Sequence, residues 1–350
     1  MANLGGNLAQ LLDIGAKGAI HIGLLGRGIG ASLSPIMHRQ EGERQGLDYH
    51  YHLIDFDALA LGNEHLGDVV DLLEKVGFGG VNVTHPFKQA VLEHLHQLAP
   101  DASEIGAVNT VIFEDGQRIG HNTDCWGFAE SFRLGLPDAP RNRVLQIGAG
   151  GAGAAVARAL IEVGVEALFV FDTDPTRAQA LAARMREVGY EVAVVTDISS
   201  AASFDGIVNA TPIGMDKYPG MPVDAECLHA GQWVADIVYF PRETRLIKHA
   251  AAIGCATLPG TGMAIFQAVK AFELFTGRTP SREEMKRSFR LIGSSRACPY
   301  SGCDRCPNGC AGPVWPALRQ HRAQAPAGTA PCDLRKPHRR GSWQPAGGSA

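Results

Sequence analysis

No stretch of this 350-residue sequence reads as a membrane span. The longest run free of charged residues, 250–269, is interrupted by Pro259, three glycines, two threonines and Gln267, too polar and too broken for a bilayer core. Residues 1–13 lack the basic cluster, apolar run and cleavage site of a targeting segment, so the expected location is cytoplasmic. Net positive charge is missing as well: 32 Lys and Arg face 36 Asp and Glu, a formal charge of −4. Such a chain has no general attraction for a nucleic-acid backbone or an anionic membrane, and neither partner is expected. Cysteine is sparse before residue 296, where Cys125, Cys227 and Cys255 stand too far apart for a disulfide framework or a zinc site. His50 with His52, and His94 with His96, can pair on one face, but no third ligand follows at metal spacing. No metal is expected.

What is present is a globular composition, 45 % hydrophobic and 19 % charged, with length enough for two domains. The average charge hides a split. Residues 296–350 hold eight Lys and Arg against two acids, a net +6 that leaves −10 on the rest, together with five of the eight cysteines and eight of the twenty prolines. Cys298, Cys303, Cys306 and Cys310 are spaced like iron–sulfur or zinc ligands. The same segment has few aliphatic residues, no periodic pattern and much Pro, Gly, Ala and Arg, so residues 294–350 are expected to form a disordered tail.

Along the body, short aliphatic or β-branched runs alternate with segments of helical pattern, the signature of parallel sheets with crossover helices. The first series reads as strands at 19–25, 49–55, 80–84 and 108–113, with helices from Pro35 (capped by Ser34), at 69–76 and at 86–97. After a helix at 123–134 and a link at 135–141, a second series reads as strands at 144–147, 167–172, 191–195, 206–209 and 233–238, with helices at 152–163 and 176–188. Two helices, about 261–276 and 281–292, close the body.

Gly148-Ala149-Gly150-Gly151-Ala152-Gly153 follows a strand and opens a helix, the context that a dinucleotide-binding G-x-G-x-x-G requires. The helix N-terminus offers free N–H groups and partial positive charge to a pyrophosphate. The next strand ends in Asp172, 24 residues after Gly148, where a carboxylate can accept both hydrogen bonds of an adenosine ribose. That carboxylate would repel a 2′-phosphate, so NAD is favoured over NADP. Arg177, one short turn on, is a group that could contact such a phosphate or stack on adenine. Gly26-Arg27-Gly28-Ile29-Gly30-Ala31 also fits the pattern, and its next strand ends in Asp55. These glycines lie several residues before the helix expected from Pro35, too early for its N-terminus to meet a phosphate. A loop presenting Ser32 and Ser34 is the expectation there.

Thr84 stands at a strand end, and Lys88 is expected in the first turn of the helix after it, where the dipole disfavours a cation. Asn109 and Asp124 lie at further strand edges, where α/β sheets hold ligands. Taken singly, Asn109 reads as a turn residue, Asp124 as an N-cap and Lys88 as a surface charge. Their placement along one sheet edge favours a shared site.

Together, Ser32-x-Ser34-Pro35-x-x-His38, Asn82-Val83-Thr84-x-Pro86-x-Lys88, Gly106-Ala107-Val108-Asn109-Thr110, Asn122-Thr123-Asp124, the 148–153 loop, Asn209-Ala210-Thr211-Pro212-Ile213-Gly214-Met215 and Gly260-Thr261-Gly262-Met263 with Gln267 resemble the shikimate dehydrogenase family. Over residues 18–293 the likeness is greatest to its NAD-dependent quinate/shikimate branch. The Asp172-Thr173-Asp174 run stands where the NADP-dependent branch usually carries an Asn-Arg-Thr type clasp, and Gly26-Arg27 stands where it usually carries Asn-Pro.

The resemblance implies an α/β protein with an N-terminal substrate-binding domain at 18–123, completed by helices 261–293, and a doubly wound Rossmann-type NAD-binding domain at 124–260. It implies Lys88 and Asp124 as the catalytic pair and Ser32 and Ser34 on the substrate carboxylate. Thr84, Asn109, Tyr239 and Gln267 would surround the ring hydroxyls. Gly148, Ala149, Gly150, Gly151, Ala152, Gly153, Asp172, Arg177, Thr211, Ile237 and Gly260 would line the cofactor. The implied reaction is reversible oxidation of a ring hydroxyl of shikimate or quinate by hydride transfer, in the chorismate pathway or in quinate catabolism. An NADP-dependent enzyme, a relative acting on aminated ring acids and a silent ring-acid and nucleotide sensor stay open as alternatives, as does a homodimer.

Overall fold

In the computed structural model residues 18–294 are described, and they build two six-stranded sheets. The first arises from β1 (Ile20–Gly26), α1 (Ser34–Arg44), β2 (Tyr49–Asp55), α2 (Leu66–Lys75), β3 (Gly80–Val83), β4 (Gln97–Leu98), α3 (Pro100–Ile105), β5 (Thr110–Glu114) and β6 (Gln117–His121). Its strand order is β2-β1-β3-β5-β6-β4. β1 and β3 are buried along almost their whole length, as strands covered on both faces must be. One face packs Leu25, Ile54, Val69, Leu73 and Val81 under α2. The other packs Ile22, Met37 and Tyr49 against Phe266, Phe272, Met285 and Phe289 of α8 (Thr261–Thr276) and α9 (Arg282–Ser294).

Three local expectations are corrected. The sheet is mixed, because β5 runs antiparallel to β3 and forms a hairpin with β6. Its turn places Asp115 and Gly116 at φ +48° and +71°, the conformation that Asp-Gly favours in a two-residue hairpin. Ser34 does not cap α1: the helix begins at Ser34 itself, with Leu33 before it and no side-chain cap. The helix expected at 86–97 is a turn followed by a 3-10 segment at Ala90–His94 and the short β4. Val91 N reaches Phe87 O at 2.9 Å, but Lys88 O accepts from Val108 N at 2.8 Å and Leu92 N turns to Gln89 O at 3.1 Å, so the i to i−4 pattern of an α-helix is not continued.

α4 (Thr123–Gly135) leads to the second sheet, made of β7 (Arg143–Ile147), α5 (Gly151–Glu162), β8 (Ala167–Phe171), α6 (Pro175–Glu187), β9 (Val192–Val194), β10 (Gly206–Asn209), β11 (Trp233–Asp236), α7 (Arg245–Ala252) and β12 (Ala256–Leu258). All its pairings are parallel, in the order β12-β11-β10-β7-β8-β9. The order reverses between β7 and β10, and in open α/β sheets ligands bind at the carboxyl ends beside such a reversal. Among the described residues no helix is long and apolar enough to cross a membrane. The tail expected at 294–350, with its four closely spaced cysteines, lies outside the described residues except for Ser294, which ends α9.

Candidate active site

The 148–153 loop leaves β7 at the reversal and enters α5 directly, with Gly150 at the N-cap position and no side chain capping the helix. Its first-turn amides are therefore left for a ligand. Gly148 has φ +108°, and a side chain there would come within 2.7 Å of Ala210 O. Nothing lies within 4 Å of the space beside Gly150, so the backbone is bare where a pyrophosphate would approach. Buried Gln146 holds the loop's shape, donating from Nε2 to the carbonyls of Gly148 and Gly153, both at 2.8 Å. Asp172 stands beside it: Oδ2 accepts from Ala149 N at 2.8 Å and Oδ1 from Asp174 N at 2.9 Å. Each oxygen has a further lone pair for a ribose hydroxyl. The residues present fit a dinucleotide. Arg177 is exposed and paired with Asp174 at 3.4 Å.

Lys88 and Asp124 are joined by a hydrogen-bonded ion pair between Nζ and Oδ2, with side chains 20 % and 9 % exposed. Lys88 sits in the turn after β3 and Asp124 in the first turn of α4. Asp124 does not cap that helix. Asn122 does, accepting from Cys125 N at 3.2 Å while its amide donates to Ala107 O at 2.8 Å. The glycine loop lies against Lys88, since a side chain on Gly151 would lie 3.7 Å from Lys88 Cβ. Tyr239, 41 % exposed after β11, feels the Asp124 charge, and desolvation first and that carboxylate second raise its phenol above the ordinary value. Gln267 lies on α8, its Nε2 donating to Ala264 O at 3.1 Å, and α8 packs so close to α4 that a side chain on Gly127 would lie 2.7 Å from Gln267 N.

Hydrogen bonds join the other expected residues from beneath. Asn109 Oδ1 accepts from Thr123 N at 2.8 Å and from Thr110 Oγ1 at 3.1 Å. Thr110 Oγ1 in turn accepts from Asn82 Nδ2 at 2.9 Å, and Tyr51 donates to Asn82 Oδ1 at 2.7 Å. Half-buried Ser32 lies in the loop before α1, its Oγ accepting from Ser34 N at 3.3 Å. Thr84 packs under Gly26, where a side chain would come within 2.5 Å of Thr84 Cγ2. On the second sheet, Asn209 Oδ1 accepts from Thr211 N at 3.0 Å and Thr211 Oγ1 at 2.7 Å. Gly260 abuts Ile237, whose carbonyl a side chain there would strike.

Sequence reasoning did not single out Tyr51, Gln146 or Asp236. Gln146 and Asp236 are polar residues inside or at the end of an apolar strand, which is a readable signal, whereas Tyr51 lies among histidines in β2 and carries none. His38 is bonded through Nδ1 to Tyr49 Oη at 2.9 Å, and burial pushes its pKa down to about 3, so it has a core role. Among the described residues no group of three or more His, Cys, Asp or Glu could hold a metal ion.

Three family models match the chain: the shikimate dehydrogenase substrate binding domain over residues 24–111, shikimate/quinate 5-dehydrogenase over 133–213, and the shikimate 5′-dehydrogenase C-terminal domain over 260–288. The shikimate dehydrogenase (NADP(+)) of Streptomyces avermitilis is 54 % identical over 281 residues, 79 % of this chain and 97 % of that protein. The quinate/shikimate dehydrogenase (NAD(+)) of Corynebacterium efficiens is 47 % identical over 277 residues, 77 % of this chain and 98 % of that protein. Among solved structures, quinate dehydrogenase from Corynebacterium glutamicum in complex with NAD superposes with a TM-score of 0.75 at 46 % identity, covering 78 % of this chain and 99 % of that one. The chain belongs to the shikimate dehydrogenase family and is a nicotinamide-dinucleotide oxidoreductase acting on a CH–OH group.

Proposed function

We propose that this enzyme reversibly oxidises a ring hydroxyl of shikimate or quinate to the 3-dehydro ketone, with NAD as its preferred acceptor and Lys88 with Asp124 as the acid/base pair. The observation that carries the reading is the Lys88–Asp124 pair set against Gly151 of a glycine loop whose neighbouring strand is tipped by Asp172. A bound nicotinamide dinucleotide would supply the hydride acceptor for the ring carbon. The hydroxyl proton passes to the Lys88–Asp124 pair, and in the reverse direction the pair returns a proton to the developing alkoxide. Ser32 and Ser34 hold the ring carboxylate, while Thr84, Asn109, Tyr239 and Gln267 meet the hydroxyls with short polar groups. Gly148 to Gly153, Asp172, Thr211, Ile237 and Gly260 hold the cofactor.

A second reading, NADP dependence, is favoured by the 54 % identical relative named for NADP(+). Arg177 would then be the group that meets the 2′-phosphate. Steady-state kinetics with shikimate and quinate, each with NAD and NADP, decide between them. NAD is expected to win in kcat/KM, and a preference for NADP above about tenfold, 1.4 kcal/mol, overturns the cofactor assignment. Lys88→Ala is expected to lower kcat by about 10³-fold while NAD binding is nearly kept. Equal loss of both would make Lys88 structural.

A further inference from the structure

Asp236 ends β11 with 2 % of its surface exposed, outside the chemistry assigned above. Its carboxylate accepts three hydrogen bonds, each from a different segment. Oδ1 takes Asn209 Nδ2 and Val238 N, both at 2.9 Å, and Oδ2 takes Thr244 Oγ1 at 2.6 Å. Asn209 is itself fully engaged: its other amide hydrogen goes to Ile213 O at 2.9 Å, and its Oδ1 takes both donors of Thr211. Ile213 N then donates to Thr211 Oγ1 at 3.1 Å. One carboxylate thus ties the 209–213 loop to the 237–239 turn. On these two segments lie Thr211 and Ile237, proposed to hold the cofactor, and Tyr239, proposed to meet the substrate hydroxyls, so this side of the cofactor is the one next to the reacting ring.

We propose that Asp236 is a positioning residue for hydride transfer, setting the register of Thr211, Ile237 and Tyr239 against the nicotinamide through Asn209 and the Val238 amide. The inference rests on the proposed site. It explains why a carboxylate, which burial pushes up to about 6, is kept at the end of an apolar strand. An apolar residue there would orphan three buried donors. Hydride transfer is sensitive to such placement, because a displacement of about 1 Å can cost about 100-fold in rate. The adenosine ribose is held elsewhere, at Asp172, and the 148–153 loop, though Gly148 touches Ala210, keeps its own tie to Gln146, so this end should feel the change far less than hydride transfer does.

The test uses the full chain, turnover with shikimate and NAD, and ADP-ribose as a probe of the adenosine and pyrophosphate end alone. Asp236→Ala is expected to lower kcat by about 30-fold with the ADP-ribose Kd within about twofold of wild type. Asp236→Asn keeps an oxygen for Asn209 and Val238 and offers its amide to the Thr244 hydroxyl, so kcat should return to within about threefold of wild type. Asn209→Ala, which cuts the same tie from the other side, should show the same split and serves if Asp236→Ala does not fold. Wild-type kcat in both alanine variants overturns the inference, and so does loss of ADP-ribose binding in step with kcat. Lys88→Ala separates the two levels: if it retained activity, the site itself would be misassigned. If it is inactive and both alanine variants turn over normally, only the role of Asp236 falls.

Discussion

Two glycine loops follow the first strand of each sheet, and each is answered by an aspartate at the end of the neighbouring strand. In the first, Gly28 N and Ile29 N donate to the two oxygens of Asp55 at 3.0 and 2.9 Å. The amides that would greet a phosphate are already satisfied, and α1 begins only at Ser34. Arg27 closes that loop over the first lobe, donating to Asn63 Oδ1 at 2.7 Å, Asp57 Oδ1 at 2.6 Å and Leu61 O at 2.5 Å. In the second loop Asp172 takes a single loop amide, and α5 starts at Gly151 with its first turn uncapped. Letter pattern and aspartate spacing are alike; the start of the helix and the fate of the amides differ. A G-x-G-x-x-G signal is therefore decided by what its N–H groups have left to bind.

The largest expected contrast is between glycines of the two loops. Gly148→Ala forces a side chain into φ +108° and within 2.7 Å of Ala210 O, a cost of about 3 kcal/mol or more. NAD affinity should fall by more than about 100-fold, or the fold should be lost. Gly30 has open space around it and no left-handed backbone, so Gly30→Ala should leave the Kd for NAD, measured by fluorescence titration, within about twofold of wild type. Loss of NAD binding in Gly30→Ala would place the dinucleotide on the wrong sheet.

A smaller contrast lies in the two aspartates. Asp172→Ala removes a ribose acceptor together with the bond to Ala149 N and should weaken NAD by about 2 kcal/mol, roughly 30-fold, while NADP suffers less. Asp55→Ala frees the Gly28 and Ile29 amides and loosens the loop that carries Ser32. Its expected signature is a raised KM for shikimate with the KM for NAD unchanged. Swapped signatures would reverse the assignment of the two loops.

What could be read from the sequence followed the range of the interactions involved. The cofactor loop was legible because strand, glycines, helix and Asp172 lie within one βαβ unit, where local propensity and tertiary structure agree. The segment carrying Lys88 departs from its helical pattern because the N–H of distant Val108 donates to the Lys88 carbonyl, and no pattern inside 86–97 announces it. The β5–β6 hairpin did carry its own signal, Asp115-Gly116, overlooked under the expectation of a parallel sheet. Tyr51, Asn82 and Thr110 share a hydrogen-bonded path that exists only once β2, β1, β3 and β5 have assembled, with Tyr51 reaching Asn82 across β1.

The lobes should also differ in their response to acid. In the first, burial holds His38 at about 3 and His52 at about 4. Their lowered pKa values mean that the folded lobe resists protons which the unfolded chain takes up near 6.5, so stability is intact above that pH and drains as pH falls below it. For His38 the loss at pH 5.5 is on the order of 1 kcal/mol. In the second lobe Asp236 moves the other way: raised to about 6 from 3.8, it binds a proton in the folded state first and adds stability as pH falls through that interval. His38→Leu should flatten the fall of Tm between pH 7 and pH 5.5, even though losing the Tyr49 bond lowers Tm at pH 7 by an amount equivalent to about 1 kcal/mol. Asp236→Asn should steepen the same fall, because it removes the group that gains. Identical slopes in wild type and both variants would mean that neither group titrates in this range, and the acid sensitivity of the fold would have to come from its surface charges.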